Sequence, residues 1–233
     1  MTNPVPGPIT GISSMATRQL LAELSAAYQQ RSGQAVAILA MGGVDAARRV
    51  QAGEVVDVVL LASDAIDKLI ASGHLRAGSS VDLARSPVAV AGCAGATHPP
   101  INTEDALRNS LLAAGSVGYS TGPSGTHLQR LFDRWGLADV FGVLARQAPP
   151  GVPVAQFIAR GEVALGIQQF SELMGQPGVE VLGLLPPGAE FITTFSAGLC
   201  PGANQPEAAA EFLRFIASTE AADTIRRHGM EPA

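Results

Sequence analysis

Apolar residues recur along this chain in two rhythms that alternate. Short apolar runs such as "AVAILA" (35–40) and "VVDVVLLA" (55–62), the second interrupted only by Asp57, read as strands, the second a buried one. Stretches with helical spacing separate them. Between Ser14 and Arg31, Leu20, Leu21, Leu24 and Tyr28 fall on one stripe, and Ser14 stands as the N-cap. "VDAARRVQAG" (44–53) and "SDAIDKLIASG" (63–73) follow as helices that stop on glycine, the second with Ser63 as its N-cap. Strands followed by helices predict an α/β fold whose mostly parallel sheets are covered on both faces.

The second half repeats the first loosely. "VQAGEVVDVVLLASD" (50–64) aligns without gaps on "IARGEVALGIQQFSE" (158–172), sharing Gly-Glu-Val. The openings correspond as well, since "GPITGISSMATRQLL" and "GSVGYSTGPSGTHLQRLF" each run strand, hydroxyl-rich loop, helix. The reading is two lobes of like design with a cleft between them, Val58 and Ile167 lying on separate sheets. In open α/β sheets the loops at the carboxyl ends of the strands hold ligands. "QPEAAAEFLRFIAS" and "EAADTIRRHG" form helices that pack back on the first lobe.

Composition narrows the class. The chain has 233 residues, 47% hydrophobic and 15% charged, with a formal net charge of −5. That length suits two lobes of about 100 residues. Lys68 is the only lysine and no basic run occurs, so neither nucleic acid nor an anionic membrane surface is an expected partner. No apolar run reaches the length of a membrane span, so no membrane insertion is expected. "MTNPVPGPITG" lacks a basic start and an apolar core, which reads as cytoplasmic, or as periplasmic if a leader has been removed. Cys93 and Cys200 close the similar segments "VAVAGC" and "FSAGLC"; they read as two buried thiols, with a pair left open.

Candidate chemistry sits at strand ends. In "GYSTGPSGTHLQRLF" (118–132), Ser120, Ser124, Gly125 and Thr126 surround the start of a helix, with Ser124 or Gly125 opening it. The N–H groups of a first helical turn lack intrahelical partners and suit an anion. Gln168 and Gln169 end the apolar strand "VALGI", where the first half has Leu60 and Leu61, and buried amides need partners. His127 and Glu172 are the residues available as a general base, a helix N-terminus favouring the neutral imidazole. His74, His98 and His228 lack ligand spacing, so no metal is expected, and no cofactor motif occurs.

The stretches "ITGISSMATRQLL", "AARRVQAGEVVDVVLLASD", "GYSTGPSGTHLQRLFDRWG" and "RGEVALGIQQFSEL" resemble, in order and spacing, the type II periplasmic solute-binding proteins, above all the molybdate-binding proteins of ABC transporters. The resemblance implies a first lobe of 1–86 plus 190–233, a second of 87–189, and crossovers near 84–92 and 188–198. It implies an oxyanion site on Ser13 or Ser14, Met41, Gly42 and Gly43, and on Ser124 with its neighbours, Gly151, Val152 and Gln169. An ABC transporter is an implied partner only for an exported protein.

Two departures redirect the expected ligand. "AMGGVD" has no hydroxyl where molybdate binders place a serine, and Gln169 stands where they commonly place a tyrosine. A wider site with an amide donor suits a small organic carboxylate better than a tetrahedral oxyanion. Aconitate isomerases are similar in sequence to the same family. The alternative function is therefore isomerisation of a small unsaturated di- or tricarboxylate by an allylic proton shift.

Overall fold

The computed structural model describes residues 7–149 and 151–233. Met1 to Pro6, on which much of the leader reading rests, and Pro150 of "APPGVPV" lie outside the described residues. The chain divides into two compact units, 1–85 with 194–233, and 86–193.

In the first unit, β1 (Ile9–Ser14), α1 (Arg18–Ser32), β2 (Val36–Met41), α2 (Gly43–Gln51), β3 (Val58–Ala62) and α3 (Ser63–Ala71) alternate as the hydrophobic pattern requires. β1 lies between β2 and β3, parallel to both, with Ser14 opposite Met41 and Ser13 opposite Leu60. Alternation along the strands sorts their side chains onto two faces. Ile9, Val58 and Leu60 pack with Leu20 and Leu24 of α1. Ile12, Val59 and Leu61 pack with Val50 of α2 and Ile66 of α3.

β4 (Val81–Cys93) leaves this unit between Arg85 and Ser86. The second unit then builds α4 (Glu104–Ala114), β5 (Val117–Tyr119), α5 (Pro123–Arg134), α6 (Ala138–Leu144), β6 (Ala145–Gln147), α7 (Val154–Ala159), β7 (Leu165–Gln169), α8 (Phe170–Leu173) and β8 (Val179–Leu184). β5 is parallel to β6 and β7, while β4 runs antiparallel to β7 and β8. Val88, Val90, Leu165 and Ile167 face Leu128 and Phe132 of α5. Ala89 and Ala91 face Val154 and Ile158 of α7.

β9 (Ile192–Leu199) returns to the first unit between Thr193 and Thr194 and pairs antiparallel with β3. α9 (Pro206–Ile216), α10 (Ala222–Arg227) and β10 (Glu231–Pro232) close the chain. Phe212, Ile216 and Ile225 join the core under α1.

One expectation is corrected. Val58 and Ile167 are not on separate sheets, because neighbour-to-neighbour pairing runs β2-β1-β3-β9-β4-β7-β5-β6 without a break. The reason is the length of β4. Thirteen residues carry pairs to β10 at Ala84 and Arg85 and pairs to β7 at Val88–Gly92, so one strand serves the ladders of both units.

The repeat in the sequence has a structural counterpart. Gly53 follows α2 and Gly161 follows α7, both with positive φ (88° and 68°), ahead of β3 and β7, each paired parallel on one side and antiparallel on the other. That left-handed conformation carries a steric cost for any side chain but is open to glycine, which is why the stop recurs in both halves.

Candidate functional site

In the first unit the carboxyl ends of β1 and β2 meet the start of α2. Adjacent serines diverge there. Ser13 shares the parity of Ile9, is fully buried, and its hydroxyl donates to the Ser14 carbonyl at 3.3 Å. Ser14 shares the parity of Ile12 and faces α2; a Cβ placed on Gly43 would lie 3.9 Å from its own. Ser14 does not cap α1. A single 3-10 turn, Met15–Thr17, intervenes, the cap of α1 is Thr17, and the Ser14 hydroxyl lies 3.5 Å from Thr17 Oγ1 with no backbone N–H bonded to it. Ser63 likewise begins α3 rather than capping it, Ala62 being the N-cap.

Met41 packs on the core beside α2, and the Arg49 guanidinium approaches its sulfur at 3.9 Å. Gly42 is the N-cap of α2 with φ −56° and ψ 131°, a conformation open to any residue. Gly43 has no positive φ and only an ordinary contact where its Cβ would be. The backbone therefore requires glycine at neither position, unlike Gly53. What Gly43 leaves open is the space of a side chain beside Ser14.

In the second unit the loop after β5 folds onto itself. Gly122, not Ser124 or Gly125, is the N-cap of α5, and Pro123 takes the first helical position, where its missing N–H costs nothing. Ser120 Oγ accepts from the Gly122 N–H at 3.3 Å and lies 3.2 Å from Ser124 Oγ. Thr126 is exposed and its hydroxyl turns back to the Gly122 carbonyl, so it does not join the two serines. Gly125 answers to packing, since a Cβ there would meet the Ser120 carbonyl oxygen at 1.8 Å.

The glutamines separate by strand alternation. Gly166 faces α7, where a Cβ would strike Ile158 and Val154. Gln168 shares that face, and its Oε1 accepts from the Val154 N–H at 3.0 Å while its Nε2 donates to Glu172 at 2.8 Å. This amide holds the start of α7. Gln169 shares the face of Ile167, toward α5. β5 pairs with β7 at Tyr119 opposite Ile167, so Gln169 lies two residues beyond that pair, level with the Ser120–Gly122 loop. It is 2% exposed; its Nε2 donates to Thr193 Oγ1 at 2.7 Å, and its Oε1 is buried with no partner. Sequence reasoning missed Thr193. The hydroxyl pair Thr193-Thr194 near the start of β9 was the available signal.

The remaining candidates are placed as follows. The Val152 N–H, expected to face a ligand, donates to the Pro149 carbonyl at 3.0 Å in a turn where Gly151 has φ 77°. His127 stacks on Phe191 with ring centroids 4.4 Å apart, and its Nε2 donates to the Ala189 carbonyl at 2.9 Å. Burial lowers its pKa from the ordinary value, outweighing that hydrogen bond, so near pH 7 it is neutral with the lone pair on Nδ1. Cys200 is buried, but Cys93, expected to be buried, is exposed at the end of β4, and both thiols are free. Among the described residues no three His, Cys, Asp or Glu are grouped to hold a metal, and no helix is long and apolar enough to cross a membrane.

Two α/β units joined by long shared strands, with hydroxyls and amides at the carboxyl ends of parallel strands, define a solute-binding architecture. Residues 9–231 match the model of a family described as bacterial extracellular solute-binding protein, and the chain belongs to that family. It is 39% identical over 230 residues to an aconitate isomerase from a Pseudomonas species, covering 96% of this chain and 87% of that one. The periplasmic molybdate-binding protein of Azotobacter vinelandii shares the fold with a TM-score of 0.79 at 16% identity, over 95% of this chain and 98% of its own. A tungstate ABC transporter structure from Geobacter sulfurreducens follows with a TM-score of 0.73 at 16% identity, over 94% and 98%.

Proposed function

We propose that the protein binds a small organic carboxylate. The observation that carries this reading is Gln169, a nearly fully buried amide with one end unpartnered, level with the Ser120–Ser124 hydroxyls. Leaving a buried amide atom unpaired costs about 1–3 kcal/mol. With the amide turned by 180°, Oε1 accepts from the Thr193 hydroxyl and the freed NH2 donates to a ligand carboxylate, which recovers that cost. Neutral hydroxyl and amide donors suit an anion. The membership of a solute-binding family supports anion binding, and the aconitate isomerase relative supports a carboxylate.

A second reading, isomerisation, is favoured by that same relative and by Glu172. An allylic shift breaks one C–H bond beside a carboxylate, moves the double bond by one position and returns a proton to the far carbon. It needs a base at the acidic carbon and donors for the enolate-like charge. Glu172, accepting from Gln168 Nε2, is a carboxylate in the network that positions α7 and is the residue we assign as the base in this reading.

Thermal shifts with cis-aconitate, trans-aconitate, tricarballylate, molybdate and tungstate test the first reading. A ligand at about a hundred times its Kd adds about 2.7 kcal/mol, or roughly 5–10 °C in Tm for a chain of this size. Stabilisation by a carboxylate and not by molybdate is expected; the reverse would overturn it. Proton NMR of cis- and trans-aconitate with the protein in D2O then separates binding from turnover, since isomerisation interconverts the two and incorporates deuterium.

A further inference from the structure

Gln169 and Thr193 form a hydrogen-bonded pair whose arithmetic does not close in either orientation of the amide. With Nε2 on Thr193 Oγ1 at 2.7 Å, Oε1 is a buried acceptor without a donor. A primary amide turned by 180° exchanges its two ends, and a threonine hydroxyl can accept or donate. In the turned form the Thr193 O–H donates to Oε1, and Nε2 becomes a buried donor without an acceptor. Thr193 is 5% exposed and Gln169 2% exposed, so solvent satisfies neither form.

We propose that Thr193 is the positioning residue for Gln169, and that the pair is a reversible polar element that turns its NH2 group toward a bound anion. The inference rests on the carboxylate reading and names the residue that lets a neutral glutamine present a donor to an ionised ligand. In the bound state Thr193 donates to Oε1, which polarises the amide and strengthens the N–H facing the carboxylate oxygen. A ligand group that is itself a donor, such as a protonated acid or an alcohol, meets the other orientation. Thr193 is the last residue of the second unit before β9 continues into the first, so the partner of Gln169 lies on a strand that both units share.

The test compares wild type with Thr193→Val, Thr193→Ser and Gln169→Glu. Calorimetric titration with cis-aconitate and with molybdate is paired with NMR of the Gln169 side-chain amide, assigned through Gln169→Met. Thr193→Val keeps the shape and removes the hydroxyl; it should weaken binding about 5–10-fold, the size of one net hydrogen bond. Thr193→Ser should return affinity to within about twofold. Gln169→Glu keeps an acceptor for Thr193 and cannot donate to an anion at neutral pH, so binding should fall at least a hundredfold while the chain stays folded. Without any ligand, Thr193→Val should shift the Gln169 amide resonances. Unchanged affinity in Thr193→Val, or unmoved amide resonances, would overturn the pairing even if the carboxylate reading stands. If wild type binds molybdate and no carboxylate, that reading fails, and the Thr193→Val loss measured on molybdate still decides the pair.

Discussion

Val154 donates its backbone N–H to Gln168 Oε1 at 3.0 Å, across fourteen residues of sequence, and thereby fixes the start of α7 to the end of β7. The other end of the same amide donates to Glu172 at 2.8 Å. Both ends are used, so Gln168 holds structure, although its neighbour is the residue we propose for the ligand. Gln168→Leu should cost about 2–3 kcal/mol in urea unfolding, because a buried N–H loses its acceptor. Any loss of ligand affinity should be far smaller than that of Gln169→Glu. Equal losses of affinity in the two variants would place both glutamines at the ligand.

Asp57, in the stretch "AARRVQAGEVVDVVLLASD", is fully buried and works as a tie. Its carboxylate accepts from the Thr10 N–H at 2.7 Å, the Thr10 hydroxyl at 2.8 Å and the Gln205 N–H at 2.9 Å, joining β1 to the start of α9. Burial alone would raise its pKa, but these hydrogen bonds outweigh it and hold the value below the usual one. A lowered folded-state pKa adds stability that is fully present above the unfolded value, about 3.9, and is lost as pH falls through the folded value. Asp57→Asn should therefore destabilise by about 3 kcal/mol at pH 7, with the gap to wild type narrowing below about pH 4. Urea denaturation from pH 7 down to pH 3 reads this directly; a constant gap would assign the loss to shape rather than charge.

The two cysteines should differ in reactivity. Cys93 is exposed, whereas Cys200 is buried, with its pKa pushed up to about 11 by desolvation first and by the nearby Asp57 carboxylate second. The thiolate is the reactive form, so Cys200 is protected twice at pH 8. A thiol reagent should titrate one equivalent quickly in the folded protein and a second only on unfolding. Cys93→Ser should abolish the fast phase, and a fast phase that survives it would contradict the burial of Cys200.

The alternation of strands and helices was legible because it rests on local hydrophobic period, and α1, α2, α3 and β3 fall close to where the pattern puts them. The role of individual polar residues was not. Gln168 and Gln169 are identical in sequence terms, and only the alternation of β7 tells which faces α7 and which faces α5. Ser124 read as a cap because capping is the common use of such a serine, yet Pro123 moved the helix start back to Gly122. Cys93 read as buried because "VAVAGC" is apolar throughout, but β4 ends there and its last side chain reaches solvent. Thr193 was missed, since two adjacent threonines flag a strand start at most and the role comes from a hydrogen bond to a residue twenty-four positions away.

Two glycines separate packing from binding. At Gly125 an added methyl would sit 1.8 Å from the Ser120 carbonyl oxygen and 2.9 Å from the Tyr119 ring, and a backbone atom cannot step aside. Gly125→Ala should cost more than about 3 kcal/mol, beyond ordinary overpacking, and lower ligand affinity only as the second unit loosens. At Gly43 the nearest atom to an added methyl is Ser14 Cβ at 3.9 Å, an ordinary van der Waals contact. Gly43→Ala should leave stability unchanged or raise it by up to about 1 kcal/mol, because alanine is the better helix former. The methyl nevertheless fills the space beside Ser14, so affinity for a ligand held at the carboxyl end of β1 should fall severalfold in a protein that melts no lower than wild type. Calorimetry and melting on the same samples give both numbers, and an unchanged affinity in Gly43→Ala would remove the Gly42–Gly43 turn from the site.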